Sequence, residues 1–175
     1  DRPPEAWMVI LKKTPGSVLW LSSMRGWPRL ADNLKKHAEA LGVAGEGKIF
    51  SSRISAKEDH LARHRHACVF LDTLTLNAST TALDALWSGL PVLAVAGDDF
   101  PSRISQTMLK AVGMDEMICP DVSNYIARAI VIATDKAEER RLKDKLADNL
   151  ATFPLFDVER FARNLEHVYQ DLVAQ

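Results

Sequence analysis

Three small hydroxyl side chains, Ser79, Thr80 and Thr81, lie at the most informative corner of this sequence, "LDTLTLNASTTALDALWSGLPVLAV" from residue 71 to 95. An apolar strand-like segment precedes them and a helix-like pattern follows. The first turn of a helix offers N–H groups without intrahelical partners and the positive end of the helix dipole. Small residues there let a phosphate approach the backbone, and their hydroxyls add hydrogen bonds. These residues therefore fit a diphosphate site, while helix capping alone, which Ser and Thr commonly perform, also explains them.

Asp84 is the acidic residue nearest to this corner on the predicted helix. It lies one helical turn after Thr80 and Thr81, so the three side chains fall close to one face. An exposed carboxylate here suits two sugar hydroxyls as a hydrogen-bond acceptor, which predicts a ribose site. The alternative is a solvated carboxylate near a helix start, stabilised by the dipole.

Cationic side chains recur every third residue in the preceding helical pattern, at Lys57, His60 and Arg63. This spacing places them near one helix face, which could meet a nucleotide. His64 and Arg65 extend the basic run, and such a run is most often a solvated surface. Both interpretations stay open at this point.

Bond-breaking chemistry has little support in the sequence. We find no paired carboxylates and no nucleophile beside a base, and the chemistry of the corner favours binding. His60, His64 and His66 give only a weak indication of a metal site.

Helical and strand-like patterns alternate along the whole chain, and they position the corner. We predict strands at 17–21, 48–52, 68–73, 91–95 and 116–119. We predict helices at 5–13, 29–41, 55–67, 80–88, 102–112, 122–134 and 136–149, followed by an amphipathic terminal helix within 154–175 that Asp157 caps. Ser55, with Glu58 three residues later, forms a capping-box pattern. This alternation predicts an α/β fold in which helices cover both faces of a parallel sheet.

Composition indicates one domain without a generic affinity for polyanions. The chain has 175 residues, 47% of them hydrophobic, and 22 basic and 23 acidic residues are intermixed to a net charge of −1. We therefore expect no binding to nucleic acid or to a membrane surface. No apolar run reaches membrane-spanning length, and no signal peptide is evident. Cys68 and Cys119 lie far apart, and Cys68 is expected to be a buried reduced thiol, which fits a cytoplasmic location.

Residues 54–114, "ISAKEDHLARHRHACVFLDTLTLNASTTALDALWSGLPVLAVAGDDFPSRISQTMLKAVGM", resemble the C-terminal lobe of the O-GlcNAc transferase and SPINDLY family of glycosyltransferases. The similarity extends to "WMVILKKTPGSVLWL" and "PLFDVERFARNLEHVY". The resemblance implies a Rossmann-like GT-B lobe that binds a nucleotide sugar, most often UDP-GlcNAc, with no cofactor or metal. It further implies the role of each site residue: Lys57, His60 and Arg63 near the nucleoside, backbone near Ala56 at the uracil, Thr80 and Thr81 at the diphosphate, and Asp84 at the ribose.

Two departures from the family pattern qualify this resemblance. Animal members carry a histidine at the position of Ser79 and a glycine at that of Ala78, so contacts to the diphosphate differ here. The family's N-terminal lobe, its tetratricopeptide repeats and an upstream lysine have no counterpart in these residues. We therefore expect a piece of a longer enzyme that cannot catalyse transfer alone and that could form a homodimer. Protein acceptors would then bind mainly to the missing parts.

Other functions remain open at this stage. Some family relatives transfer fucose from a GDP donor, and others transfer glucose to asparagine. A noncatalytic interaction module could keep the same fold, with Ser79 as a mark of lost donor binding. A nucleotide-sugar epimerase would need a paired acid and base in the cleft, which we do not find.

Overall fold

The computed structural model describes residues 3–23, 27–43, 48–53 and 56–174. The strands are β1 (Leu19–Ser23), β2 (Ile49–Arg53), β3 (Phe70–Leu71), β4 (Val92–Val95) and β5 (Ile118–Cys119). The helices are α1 (Pro3–Lys13), α2 (Trp27–Ala40), α3 (Lys57–Arg63), α4 (Thr80–Trp87), α5 (Phe100–Ala111), α6 (Val122–Thr134), α7 (Lys136–Leu150) and α8 (Val158–Val173). Short 3₁₀ turns cover His64–His66, Asp115–Met117 and Pro154–Phe156.

All strand pairs in the described part of the chain are parallel, as predicted. β1 pairs with β2, and β4 lies between β3 and β5 in a second, three-stranded group. Val92, Leu93 and Ala94 of β4 are all completely buried. Because successive strand residues point to opposite faces, both faces of this sheet must be covered. The predicted α/β fold with helices on both faces is confirmed.

Two hydrophobic clusters stabilise the fold. The larger one surrounds β4 and includes Leu86 of α4, Leu109 of α5 and Ile132 of α6, each fully buried. Burial of such a side chain contributes about 1.5–3 kcal/mol. The smaller cluster joins α1, β1 and α2. Trp7 and Leu71 pack against both clusters, so they connect the two groups of strands.

Aspartates begin the last three helices, as their sequence positions suggest. The Asp121 carboxylate accepts from the amide of Asn124 at 2.8 Å, and the Asp135 carboxylate accepts from the amides that begin α7. Asp157 accepts from the amide of Arg160 at 2.8 Å, which confirms the predicted cap of α8. Such caps satisfy donors that have no partner inside the helix.

The predicted strand at 68–73 is too long, because β3 contains only Phe70 and Leu71. The next residue, Asp72, takes the amide of Thr73 with its own carboxylate, and the chain turns there. Cys68 is half-buried rather than buried, whereas Cys119 is buried, and both are free thiols. Burial raises the pKa of Cys119 to about 11.

The predicted start of the third helix is also wrong. Ala56 occupies the N-cap position of α3 with extended backbone and no side-chain cap, and Lys57 is the first helical residue. The predicted capping residue, Ser55, lies outside the described residues. α5 begins two residues earlier than predicted because Pro101 is suited to the first turn of a helix.

No described side chain of α8 is buried. Phe161, Leu165, Val168 and Leu172, three or four residues apart, are all exposed, with Phe161 65% accessible. The helix is therefore amphipathic, as predicted, with its apolar face open. None of the helices in the described ranges has the length and apolar character needed to cross a membrane.

Candidate functional site

The N-terminal end of α4 is the centre of the candidate site, and it lies beyond the carboxyl end of β3. Ser79 occupies the N-cap position, but its hydroxyl accepts no hydrogen bond from the helix. Its carbonyl accepts from the amides of Ala82 and Leu83 at 3.1 and 3.0 Å. The amides of Thr80 and Thr81 precede these and have no intrahelical acceptor. Ser79, Thr80 and Thr81 are all exposed, so this helix start is accessible to solvent.

The capping alternative for these hydroxyl residues is only partly correct. Ser79 sits where a cap would sit, yet its side chain does not perform that task. A phosphate or another anion at this end would meet the amides of Thr80 and Thr81 and the positive end of the helix dipole. The geometry is therefore suited to an anionic ligand.

Asp84 lies one turn along α4 and pairs with α3. Its two carboxylate oxygens accept from Lys57 Nζ at 2.6 and 2.5 Å, and Oδ2 lies 3.3 Å from His60 Nε2. The side chain of Asp84 is 19% accessible, whereas that of Lys57 is 60% accessible. The expectation of an exposed Asp84 is thus wrong, because two neighbouring cationic or polar groups of α3 cover it. The same contacts bring the predicted nucleoside and ribose residues together.

His60 is buried between Asp84 and a second histidine. Its ring meets that of His64 edge to face, with 4.9 Å between centroids. Burial lowers the pKa of His60, as do Arg63 and Lys57, while Asp84 acts in the opposite direction. Burial and the neighbouring His60 also lower the pKa of His64. Both rings are therefore neutral at neutral pH, and protonation of His60 would strengthen its interaction with Asp84.

The third member of the α3 face, Arg63, turns towards β1 instead of Asp84. Its NH2 donates to Ser22 Oγ at 2.9 Å, and its guanidinium carbon lies 5.4 Å from the ring centroid of Trp20. Burial lowers the pKa of Arg63. Sequence reasoning missed Ser22 and Trp20, because helical spacing shows which residues share a face but not which strand lies opposite.

Ala56 precedes this face and is exposed at the N-cap of α3. Its carbonyl accepts from the amide of His60 at 3.1 Å, so this oxygen is engaged within the helix. Ala56 thus lies directly before the cationic face in the chain, and its role at the uracil stays a prediction.

The weak metal hypothesis for the histidines finds no support. His66 Nε2 accepts from Arg65 Nε at 3.2 Å, away from the His60–His64 contact. Across the described ranges, no group of three or more His, Cys, Asp or Glu side chains is arranged to hold a metal ion.

The family comparison matches almost the whole chain. Residues 3–165 match the sequence model of glycosyl transferase family 41. This range includes α3, the corner and α4, so every residue of the candidate site falls within the match.

Named relatives agree with the family match. The chain is 29% identical over 171 residues to a UDP-N-acetylglucosamine–peptide N-acetylglucosaminyltransferase of Caenorhabditis elegans, covering 98% of this chain and 14% of the relative. It is 32% identical over 164 residues to the probable enzyme of the same name, SEC, of Arabidopsis thaliana, covering 93% of this chain and 16% of the relative. The chain thus spans about a sixth or less of the length of these relatives.

A solved structure gives the same result in three dimensions. A mutant of O-GlcNAc transferase from Thermobaculum terrenum superposes on this chain with a TM-score of 0.88 at 30% sequence identity. The superposition covers 96% of this chain and 32% of the other. Both the fold and its sequence are therefore shared with one part of a larger transferase.

Proposed function

The chain belongs to glycosyl transferase family 41, and we propose that it is the donor-binding lobe of a protein O-glycosyltransferase that uses UDP-GlcNAc. The observation that carries the proposal is the exposed start of α4 beside the cationic face of α3. An anionic nucleotide needs both features: donors for its phosphates and polar groups for its sugar and base. The names of the worm and plant relatives support the choice of donor.

Each end of the nucleotide has residues suited to it. Thr80 and Thr81 hold the diphosphate through two amides and two hydroxyls, and Ser79 adds a third hydroxyl at the helix start. Asp84 accepts from the ribose hydroxyls, which requires the Lys57 ammonium to share or release the carboxylate. The remaining groups, Lys57, His60, Arg63 and the backbone at Ala56, lie near the nucleoside.

In the intact enzyme this lobe stabilises the leaving group. The acceptor hydroxyl oxygen forms a bond to C1 of the sugar, and the bond from C1 to the β-phosphate oxygen breaks, with its electron pair going to UDP. The hydroxyl proton leaves to a base or to solvent. Negative charge grows on the diphosphate during this step, and the dipole and amides at the start of α4 are positioned to stabilise it. This lobe needs no covalent intermediate, and the nucleotide sugar is a substrate rather than a cofactor.

Acceptor recognition and cellular location belong to the same proposal. The protein acceptor would bind mainly outside these 175 residues, since the relatives are several times longer. The free thiols of Cys68 and Cys119 are consistent with the reducing conditions of the cytoplasm.

Calorimetric titration with UDP, GDP and UDP-GlcNAc tests the proposal. We expect UDP and UDP-GlcNAc to bind in preference to GDP, and the Thr80→Val and Thr81→Val variants to weaken both. Thr134→Val is the matched control, because Thr134 is an exposed threonine at the C-terminal end of α6, whereas the site lies at the N-terminal end of α4.

Two results would contradict the proposal in different ways. Preference for GDP would favour the fucosyltransferase alternative. Failure of all three ligands to bind both this chain and the full-length protein would favour a noncatalytic interaction module.

A further inference from the structure

Asp72, which has no role in the scheme above, closes the loop that leads to the corner. It lies directly after β3 and is 1% accessible. A single carboxylate oxygen, Oδ1, accepts from the amides of Thr73 and Ala78, both at 2.8 Å. Ala78 is the residue before Ser79, so this oxygen joins the end of the strand to the start of the helix.

Asn77 holds the same loop from the other side. Its Nδ2 donates to the Thr73 carbonyl at 2.8 Å, and its Oδ1 accepts from the amide of Ser105 at 3.2 Å. Its own amide donates to the carbonyl of Pro101 at 2.9 Å. Asn77 is 5% accessible. The loop is thereby tied both to itself and to α5.

A third contact, from the Tyr125 hydroxyl of α6, holds the backbone of Asp72. The Tyr125 hydroxyl donates to the Asp72 carbonyl at 3.0 Å and accepts from Trp7 Nε1 at 3.3 Å. Tyr125 is completely buried, and burial raises the pKa of its hydroxyl. The hydroxyl therefore stays protonated, and α1 and α6 are both linked to the end of β3.

We propose that Asp72 and Asn77 are positioning residues for the diphosphate: they hold Ala78 so that the amides of Thr80 and Thr81 keep the direction a phosphate needs. This inference rests on the proposed function, since it concerns the same site. Neither residue touches the ligand. Each acts through backbone hydrogen bonds that fix where α4 begins, and a shift of the first turn would misdirect both amides.

The role of Asp72 depends on its acceptor oxygen rather than on its charge. Both loop bonds go to Oδ1, while Oδ2 is buried without a hydrogen-bond partner among the described residues. Burial raises the pKa of Asp72, and the amide of Ala78, the nearby Ser105 hydroxyl and the amide of Thr73 oppose this shift. An asparagine keeps one carbonyl oxygen of the same reach, so Asp72→Asn should preserve the loop. Asp72→Ala should not.

The test combines UDP titration with amide nuclear magnetic resonance shifts of the ligand-free protein. We expect Asp72→Ala and Asn77→Ala to weaken UDP binding at least about tenfold, because loss of even one of the two amide hydrogen bonds would have that effect. Asp72→Asn should bind UDP within about twofold of the unchanged chain, on the same scale. The amide shifts of Ser79, Thr80 and Thr81 should move in the two alanine variants and stay in place in Asp72→Asn.

Leu142→Ala is the control for general loss of stability. Leu142 is completely buried on α7 and makes none of the hydrogen bonds of the loop, and its truncation lowers the free energy of unfolding. Titrations are made at a temperature at which each variant is fully folded. Leu142→Ala should then bind UDP normally. If Asp72 contributed only to stability, folded Asp72→Ala would bind UDP normally as well.

Several outcomes would overturn the inference. Normal UDP affinity in folded Asp72→Ala or Asn77→Ala would do so, and so would an Asp72→Asn variant as weak as Asp72→Ala. If Asp72→Ala does not fold, Asn77→Ala and Asp72→Asn still decide the question. If neither the unchanged chain nor the full-length protein binds UDP, the proposed function fails, and unmoved amide shifts in the alanine variants would separately show that these residues do not hold the corner.

Discussion

Replacing Asp84 by asparagine tests whether this carboxylate accepts hydrogen bonds from the ribose of a bound nucleotide. Asparagine keeps the size of the side chain and one carbonyl acceptor but removes the negative charge. In the ligand-free protein the carboxylate accepts from Lys57 Nζ at 2.6 and 2.5 Å and lies 3.3 Å from His60 Nε2. The substitution therefore removes an ion pair within the protein and weakens any bond from a sugar hydroxyl.

The two effects of Asp84→Asn differ in size. The Lys57 side chain is 60% accessible, and exposed ion pairs contribute about 0.2–1 kcal/mol, so the free energy of unfolding should fall by about 1 kcal/mol or less. A hydrogen bond to a charged group contributes about 1.5–3 kcal/mol. The Kd for UDP should therefore rise about 10- to 150-fold. Binding should suffer more than stability.

Titration with UDP, 2′-deoxy-UDP and 3′-deoxy-UDP isolates the contact with the ribose. The unchanged chain should prefer UDP to at least one deoxy analogue, and Asp84→Asn should lose most of this preference. Glu139→Gln is the matched control. Glu139 is also a helical carboxylate with two lysine partners, at 2.7 and 2.8 Å, and is 14% accessible, but it lies on α7.

Full retention of the preference for UDP over both deoxy analogues in Asp84→Asn would refute a contact between this carboxylate and the ribose. In that case the ribose would have another partner, and the carboxylate would serve only to seat Lys57 and His60. A loss of UDP affinity in Glu139→Gln would equally show that the effect is not specific to the site.

Three further predictions concern stability. Gly113→Ala should lower the free energy of unfolding by more than about 1–2 kcal/mol, which is the cost of left-handed backbone alone, because Gly113 has φ of 68° and an added Cβ would also lie 2.4 Å from the Phe153 ring. Gly89→Ala is the control in the same urea unfolding experiment, since Gly89 has φ of 78° but open space around it, and it should lose less stability. Equal losses in the two variants would exclude the clash with Phe153. Hydrogen bonding by Arg141 lowers the pKa of Glu138 to about 2. The stability that the ionised Glu138 contributes is therefore fully present above its ordinary pKa of 4.5 and is lost as pH falls towards 2. Glu138→Gln should flatten the loss of stability between pH 4.5 and 2, and an unchanged acid profile would argue against this ion pair. Burial raises the pKa of Asp72 in the folded state, so the stability that the protonated carboxyl contributes is present below the ordinary pKa of 3.8 and is lost as pH rises through the higher folded pKa. In thermal unfolding, Asp72→Asn should therefore gain stability over the unchanged chain at neutral pH relative to acid pH. Parallel pH profiles of the two proteins would contradict this prediction.

Sequence patterns predicted best those elements whose ends carry chemical signals. The predicted helix at 122–134 agrees with α6 at both ends, because Asp121 caps its start and Asp135 begins the next helix. α4 agrees within one residue, between Ser79 and Gly89. In these places local hydrogen-bond needs and hydrophobic periodicity indicate the same boundary.

The errors arose where a side chain competes for backbone groups over a longer distance. The strand before the corner was predicted through Thr73, but the Asp72 carboxylate takes the amides of Thr73 and Ala78 and ends the regular pairing. Aspartate is a common turn residue, and its position after an apolar run was the available signal. The contact of the Asp72 carboxylate with the amide of Ala78, six residues ahead, could not be predicted because it depends on the conformation of the whole loop.

In the candidate site, too, local spacing predicted some contacts and missed those that depend on tertiary packing. Helical spacing correctly placed Lys57 and His60 on one face, and both side chains contact Asp84. Spacing could not show that Arg63 would turn to Ser22 and Trp20, since those residues belong to a strand far away in the chain. Tertiary packing, rather than local pattern, decides which element lies opposite a helix face.

The way α3 is held has a further consequence for the protein in solution. Neither hydrophobic cluster of the described chain includes a side chain from α3, and the helix reaches its neighbours through Lys57, His60 and Arg63. Charged contacts weaken with added salt, because the screening length falls from about 10 Å at 0.1 M to about 3 Å at 1 M. High salt should therefore weaken the Lys57–Asp84 ion pair between α3 and α4. Ionic strength therefore changes both the strength of the ion pair that holds α3 and the attraction of its cations for an anionic ligand.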